Sequence, residues 1–273
     1  MDFFNDLTVS DQDFQRLVQF MQKNYGIDLS KKKTLITSRL SHSLKERGYT
    51  SLEPFLERLF SRRDPEDVEL ILNKLTTNYT YFLREPDHFT YFQNVILPEL
   101  EKRHQKDRVL SIWSAGCSSG EEPYTLSIYL KEYFGSKAAQ WDTRVLATDI
   151  SQQAMAKATA GLYHVPADMP NDWLRRYFTF DKSTGLYSVG PAIRKNVIFR
   201  PFNLMDPIQF RLKFDVIFCR NVMIYFNQET RDGLVKRFYD AMYPNGYLFV
   251  SHSESLGQDP KFRLVSPSIY QKK

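Results

Sequence analysis

The sequence has little of what marks secreted, membrane-spanning or repetitive proteins. Only two cysteines occur in 273 residues, Cys117 and Cys219. Each falls at or near the end of an apolar strand-like run. A disulfide framework is therefore not expected, and a reducing cytoplasm is the expected compartment. No apolar run approaches the ~20 residues that span a bilayer, so no membrane insertion is expected. The first residues show no basic segment followed by an apolar one, so no secretory leader is expected either. Internal repeats and low-complexity tracts are absent. The phosphate-cradling pattern G-x-G-x-x-G is not matched at the one strand-to-helix turn where it would matter. What remains is 42% hydrophobic and 25% charged, the composition of an ordinary globular protein. The net charge of +5 suggests an acidic partner.

The chain changes character along its length. Residues 1–75 read as helical throughout. Ser10 can cap a helix with Phe14, Leu17, Val18 and Met21 on one face. Ser30 can cap a second, with Leu35, Ile36, Leu40 and Leu44 inward and Gly48 just beyond its end. Leu52, Phe55, Leu56 and Leu59 mark a third, and Val68, Leu70, Ile71 and Leu75 a fourth. Residues 76–90 read as a linker, closed by Glu85-Pro86 opening a long helix through Phe89, Phe92, Ile96 and Leu100. From Val109 strands and helices alternate. Strands are expected at Val109–Trp113, Arg144–Thr148, Val197–Phe199, Phe214–Phe218 and Tyr247–Val250. Helices are expected at Glu121–Phe134, Ser151–Ala160 and Gln228–Met242, and a closing hairpin at Phe262–Val265 and Ile269–Lys272. Such alternation predicts right-handed βαβ units on a parallel sheet, an α/β domain over 91–273. Residues 162–195 interrupt it with Pro, Gly and short strand-like pieces, and read as a small inserted β-subdomain.

Two stretches carry the chemistry. Val109-Leu-Ser-Ile-Trp-Ser-Ala-Gly-Cys-Ser-Ser-Gly-Glu-Glu-Pro123 is a strand, a small-residue turn and an acidic helix start. Phe214-Asp-Val-Ile-Phe-Cys-Arg-Asn-Val-Met-Ile-Tyr-Phe226 is a strand ending in Arg220-Asn221, with Tyr225 close behind. Ligands of open α/β sheets sit outside the carboxyl ends of the strands, so both stretches point to one sheet edge. The turn lets backbone approach a ligand, although an ordinary tight βα turn would read the same. Glu121 and Glu122 would repel a phosphate at that helix start. A cationic ligand such as S-adenosylmethionine, with its sulfonium and ammonium, suits them; favourable placement of acids on the helix dipole is the plainer reading. Asp149 can accept both hydroxyls of a ribose or cap the helix near Ser151. Asn203 can bond an adenine edge or close a turn. Arg84 can pair bidentately with a carboxylate or lie solvated on the surface. Between Arg16 and Arg63 eleven Lys/Arg face four Asp/Glu, as a solvated face or a docking surface.

Together these residues resemble the chemotaxis receptor methyltransferases, the CheR family of protein-glutamate O-methyltransferases. The resemblance covers nearly the whole chain. It is carried by Leu75-Thr-Thr-Asn-Tyr-Thr-Tyr-Phe-Leu-Arg-Glu85, Trp113-Ser-Ala-Gly-Cys-Ser-Ser-Gly-Glu-Glu-Pro-Tyr124, Ala147-Thr-Asp-Ile150, Phe218-Cys-Arg-Asn-Val-Met-Ile-Tyr-Phe226 and Gly246-Tyr-Leu-Phe-Val-Ser-His-Ser-Glu254. It implies a small all-helical N-terminal domain, a linker, and a Rossmann-like S-adenosylmethionine-dependent methyltransferase domain with an inserted β-subdomain. By position it places Asn78, Thr80, Arg84, Glu122, Asp149, Asn203, Leu204, Arg220 and Asn221 against the methyl donor. It places Arg84 and Tyr225 beside the reacting carboxylate. The implied partners are the cytoplasmic helical rods of chemoreceptors, met by Lys31, Lys32, Lys33, Arg39, Lys45 and Arg47 and, in some members, by the β-subdomain. No metal and no nucleic acid are implied, and a monomer suffices. A nucleic-acid methyltransferase is the first alternative. It would show an Asn/Asp-Pro-Pro-Tyr/Phe motif near the fourth strand, where Arg220-Asn-Val-Met-Ile-Tyr225 stands instead. A non-catalytic donor-binding module is the second.

Overall fold

The computed structural model describes residues 7–165 and 169–273. It contains two compact units. One comprises residues up to Asn78 with Tyr225–Arg231, the other Tyr79–Ile224 with Asp232–Lys273.

The first unit is helical. Helix α1 (Asp11–Tyr25) begins where the Ser10 hydroxyl accepts the Asp13 amide, and ends at Gly26 in the left-handed region. Helices α2 (Lys33–Glu46), α3 (Leu52–Arg62) and α4 (Pro65–Leu75) follow. Asp64 caps α4, with Pro65 in its first turn. Ser30 does not cap α2. Its amide donates to Asp28, Lys32 turns back onto the Leu29 carbonyl, and the helix starts at Lys33 without a side-chain cap. The core is Leu17, Met21, Ile36, Leu40, Leu44, Leu52, Phe55, Leu56, Leu59 and Ile71. Into it Asp67 is fully buried, held by Arg47 at 2.8 Å and Arg58 at 2.7 Å. A buried carboxylate needs such partners to remain charged.

The second unit opens on α5 (Pro86–Tyr91) and α6 (Leu97–Arg103), joined by a wide π-turn at Phe92–Ile96. Pro98 has no amide to give the preceding turn, and the extra residue there relieves its ring against the backbone. The sequence predicted one unbroken helix here. Then come β1 (Ile112–Ala115), α7 (Glu121–Phe134), β2 (Val145–Asp149), α8 (Gln152–Ala160), β3 (Leu162–Tyr163), α9 (Asn171–Tyr177), β4 (Phe178–Asp181), β5 (Leu186–Val189), α10 (Pro191–Arg194), β6 (Val197–Pro201), β7 (Phe214–Phe218), α11 (Gln228–Ala241), β8 (Met242–Phe249), β9 (Phe262–Ser266) and β10 (Ile269–Lys272). Seven strands form one sheet in the order β6-β2-β1-β7-β8-β10-β9. The first five are parallel, and β10 runs antiparallel to both its neighbours. A second, antiparallel sheet orders β3-β5-β4.

Every residue of β1 and β7 is buried, as expected of parallel strands covered on both faces. On one face Phe218 stacks on Phe249 at 4.2 Å, joined by Phe89 and Phe92. On the other, Trp113 is surrounded by Phe202, Phe210, Phe214 and Phe238. The chain builds outward from β1 to β2 and β6, then reverses to β7 and β8. The carboxyl ends of β1, β2 and β7 therefore meet at the switch point of the sheet.

Candidate active site

The loop after β1 makes the floor of that switch point. Gly116 and Cys117 both donate to the Thr148 carbonyl, at 2.8 and 2.9 Å. Gly116 has φ +85°, and a Cβ there would lie 2.4 Å from Val222 Cγ2. Gly120, at φ +98°, would press a Cβ within 3 Å of Ala158 and the Tyr163 hydroxyl. Both glycines are thus demanded by backbone conformation and by close approach. Cys117 is buried beside Asp149 and Glu122, and burial first, then those charges, push its thiol well up. A thiol in that state is no nucleophile.

Asp149 at the end of β2 accepts the Ser118 amide at 2.8 Å and the Ser151 amide at 2.9 Å. It is not the cap of α8. The Ser151 hydroxyl does that, accepting the Ala154 amide. Asp149 instead ties the β1 loop to the end of β2.

Arg220, just past β7, is buried and gathers two more of the expected residues, Glu122 and Arg84. Its Nη1 donates to Glu122 Oε2 at 3.1 Å, and its Nη2 donates to Glu85 Oε2 at 3.1 Å and to the Arg84 carbonyl. Its guanidinium lies 5.3 Å from the Phe89 ring centre. Glu122 also accepts the Ser114 hydroxyl at 2.7 Å. Burial raises the Glu122 pKa, opposed by Arg220 and the Ser114 hydrogen bond. Burial also raises that of Glu121, opposed by the Ser119 hydroxyl. Asn221 sits at φ +59°, and its amide donates to Glu254 Oε2. Asn203 is a turn residue, its Oδ1 accepting the Met205 amide. Buried Leu204 follows, its carbonyl taking a hydrogen bond from Arg237.

Arg84 is presented between Leu83 at φ +62° and Glu85 at φ +58°. Its Nη1 donates to the Tyr79 carbonyl at 2.9 Å. Among the described residues it has no carboxylate partner, in contrast to doubly paired Arg220. Thr80 lies half-buried in the same segment.

Two of the expected residues belong to the helical unit. Asn78 accepts the Thr76 hydroxyl there at 3.4 Å. The Tyr225 hydroxyl donates to the Thr77 carbonyl at 3.4 Å, and Lys32 lies 5.7 Å from its ring centre. The basic set of that unit is narrower as a free surface than its composition suggests. Lys33 pairs with Asp11, Arg47 with Asp67, and Arg39 donates to the Lys74 and Thr76 carbonyls at the end of α4. Exposed Lys31, Lys32 and Lys45 have no carboxylate partner among the described residues.

Sequence reading missed Glu85 and Glu254. Glu85 looked like a helix start, and its pairing partner lies 135 residues away. Glu254 stood only within a family-like stretch. Glu85 also joins His88 and His252 in a group whose ligand atoms lie within 4.8 Å of one another. Burial first and then Arg220 push the His88 pKa down to about 4, so its ring is neutral. The same Arg220 charge opposes a cation at this group.

These segments carry five carboxylates, Glu85, Glu121, Glu122, Asp149 and Glu254, against two guanidiniums, Arg84 and Arg220, of which Arg220 is paired with Glu85 and Glu122. That balance repels a pyrophosphate and accommodates a ligand bearing sulfonium and ammonium groups. S-adenosylmethionine fits the residues present.

Comparison with known proteins agrees. Residues 12–76 match the CheR methyltransferase all-alpha domain, and residues 78–270 the CheR methyltransferase SAM binding domain. A chemotaxis protein methyltransferase of Borreliella burgdorferi is 37% identical, covering 98% of this chain and 96% of its own. Chemotaxis protein methyltransferase 1 of Pseudomonas aeruginosa is 36% identical, over 96% and 98%. A chemotaxis protein methyltransferase of Escherichia coli is 34% identical, over 97% and 92%. Among the described residues no helix is long and apolar enough to cross a membrane. The chain belongs to the CheR methyltransferase family, and its cofactor is S-adenosylmethionine.

Proposed function

We propose that this chain esterifies glutamate side chains on the cytoplasmic helical regions of chemoreceptors, as a monomer in the cytoplasm. The observation that carries the reading is Arg84. It is a guanidinium without a carboxylate partner among the described residues, fixed on a loop whose neighbouring arginine is already neutralised by Glu85 and Glu122. A substrate carboxylate supplies what it lacks.

S-adenosylmethionine supplies an electrophilic methyl group. The residues that would hold it are Asp149 for the ribose, Asn203 and Leu204 for the adenine, and Glu122 with Asn78, Thr80, Arg84, Arg220 and Asn221 around the remainder. Arg220 acts in this set by fixing Glu122 and the Arg84 backbone. A glutamate of pKa about 4.3 is ionised at neutral pH, so no general base is required. The protein's task is positioning and exclusion of water. Opposite charges are neutralised in the step, so a poorly hydrated site favours it. Arg84 holds the carboxylate and Tyr225 orients the attacking oxygen. Lys31, Lys32 and Lys45 remain as the docking cations for an acidic receptor helix. Strand β4, at one edge of the small sheet, offers a second receptor contact.

The test is transfer of radiolabelled methyl from S-adenosylmethionine to membranes carrying chemoreceptors, followed by alkali. Label released as methanol is expected. Base-stable label would overturn the glutamate substrate, and donor binding without any transfer would favour a non-catalytic module.

A further inference from the structure

Tyr79 and Tyr81 stand out from the rest of the aromatic residues. They are 69% and 42% exposed, whereas most rings of the sheet domain, with Phe180 at 48% an exception, are packed into its two cores. Neither hydroxyl has a hydrogen-bond partner among the described residues. Their ring centres are 5.8 Å apart and tilted by 53°. The guanidinium carbon of Arg84 lies 5.9 Å from one and 5.8 Å from the other. Two exposed rings therefore flank one cation that has no carboxylate partner among the described residues.

The segment that presents them is tightly determined. Phe82 points the other way into the core, edge-on to Tyr163 at 5.0 Å and to Phe178 at 5.5 Å. Glu85 is pinned by Arg220. Between these anchors, Leu83 and Glu85 both hold left-handed backbone, which non-glycine residues adopt at a cost. Strain retained on both sides of one arginine, with exposed rings around it, points to a binding function for the group. Core packing does not explain it, because the rings are not in the core.

We propose that Tyr79 and Tyr81 form an aromatic bracket that receives the substrate glutamate. Arg84 takes the carboxylate, and the two rings take the side-chain methylenes and cover the ion pair. The chemistry is complementary on both counts. A glutamate offers an apolar stem and an anionic head, and the bracket offers apolar faces around a cation. Covering the pair lowers the local dielectric, which strengthens it and favours a step that removes both charges. The rings are thus specificity-determining for the protein substrate and have no part in holding the methyl donor.

This rests on the proposed esterification, and the experiment separates the two. Methylation of receptor-bearing membranes is measured for wild type, Tyr79→Ala/Tyr81→Ala and Tyr79→Phe/Tyr81→Phe, with donor affinity measured by calorimetry on the full chain. The alanine pair should raise the receptor KM by about tenfold, the scale of two lost aromatic contacts. Donor affinity should be unchanged, and the phenylalanine pair should behave as wild type because the ring faces are kept. An unchanged receptor KM in the alanine pair overturns the bracket, as does a parallel loss of donor affinity. A phenylalanine pair as impaired as the alanine pair overturns it too. A wild-type chain that binds donor yet esterifies no receptor overturns the esterification itself, and the bracket with it.

Discussion

At Glu254 one carboxylate holds two loops together. Its Oε2 accepts the amides of Asn221 at 3.0 Å and Ser251 at 2.8 Å, and its Oε1 accepts that of Ile224 at 3.1 Å. It is 8% exposed, with no salt-bridge partner among the described residues. Hydrogen bonds to a charged acceptor in such a setting are the strong ones. Glu254→Gln keeps the shape but turns an NH2 group toward at least one donor. A loss of about 2 kcal/mol of stability is expected. Weaker donor binding should accompany it, because Asn221 is no longer held at its positive φ. Chemical denaturation and calorimetry check both, and wild-type values in each would show that the clamp is idle. Tyr225 differs in kind. Its 3.4 Å hydrogen bond to the Thr77 carbonyl adds little to stability. Tyr225→Phe should leave donor affinity intact while lowering turnover by about a hundredfold, the scale of a misplaced reactant. Equal loss of both would refute its assignment to the attacking oxygen.

The elements were legible in the sequence where their hydrophobic patterns were long. Phe214–Phe218 is a continuous apolar run and proved to be a fully buried strand with the expected bounds. Ile269–Lys272 also falls where expected. The first sheet strand starts at Ile112, three residues later than Val109, which makes only an isolated bridge to Asp142. The elements β3, α9 and α10, of two, seven and four residues, went unread because they are too short to show a period. The site divided along the same line. Glu122, Asp149 and Asn221 could be picked out as candidates because each falls at a strand end or in the turn and helix start that follow one. The Glu85–Arg220–Glu122 bridge was not, because pairings across 135 and 98 residues leave no local trace. Gly116 was readable as a turn, but the reason it must be glycine was not. Gly116→Ala drives a methyl into Val222 at φ +85°. A loss of about 1–3 kcal/mol is expected, visible as a lower denaturation midpoint. An unchanged midpoint would mean that the β1 loop is freer than its geometry implies.

On the scale of the whole molecule, the sheet separates two electrostatic regimes. The carboxyl ends of its strands hold the acid-rich site proposed for the donor. At the opposite end His104 bridges Asp215 Oδ1 at 2.9 Å and Asp107 Oδ1 at 3.1 Å, with Arg103 3.8 Å from Asp215 and the Tyr243 ring alongside. Burial disfavours the charged form of His104, but the hydrogen bonds and charges of Asp215 and Asp107 outweigh that, and its pKa is raised. A raised pKa in the folded state means that protonated His104 stabilises the fold. That contribution is full below the unfolded value of about 6.5 and is lost as pH rises through the folded value. His104→Asn should flatten the decline of thermal stability across this window, and an unaltered slope would assign the decline to other groups. The strand order also fixes a sequence in time. Strand β9 touches the sheet only through β10, which is made after it and slots between β8 and β9. Strand β9 therefore has no place in the sheet until β10 has paired with β8. The strands around the proposed donor site can pair before that flank does.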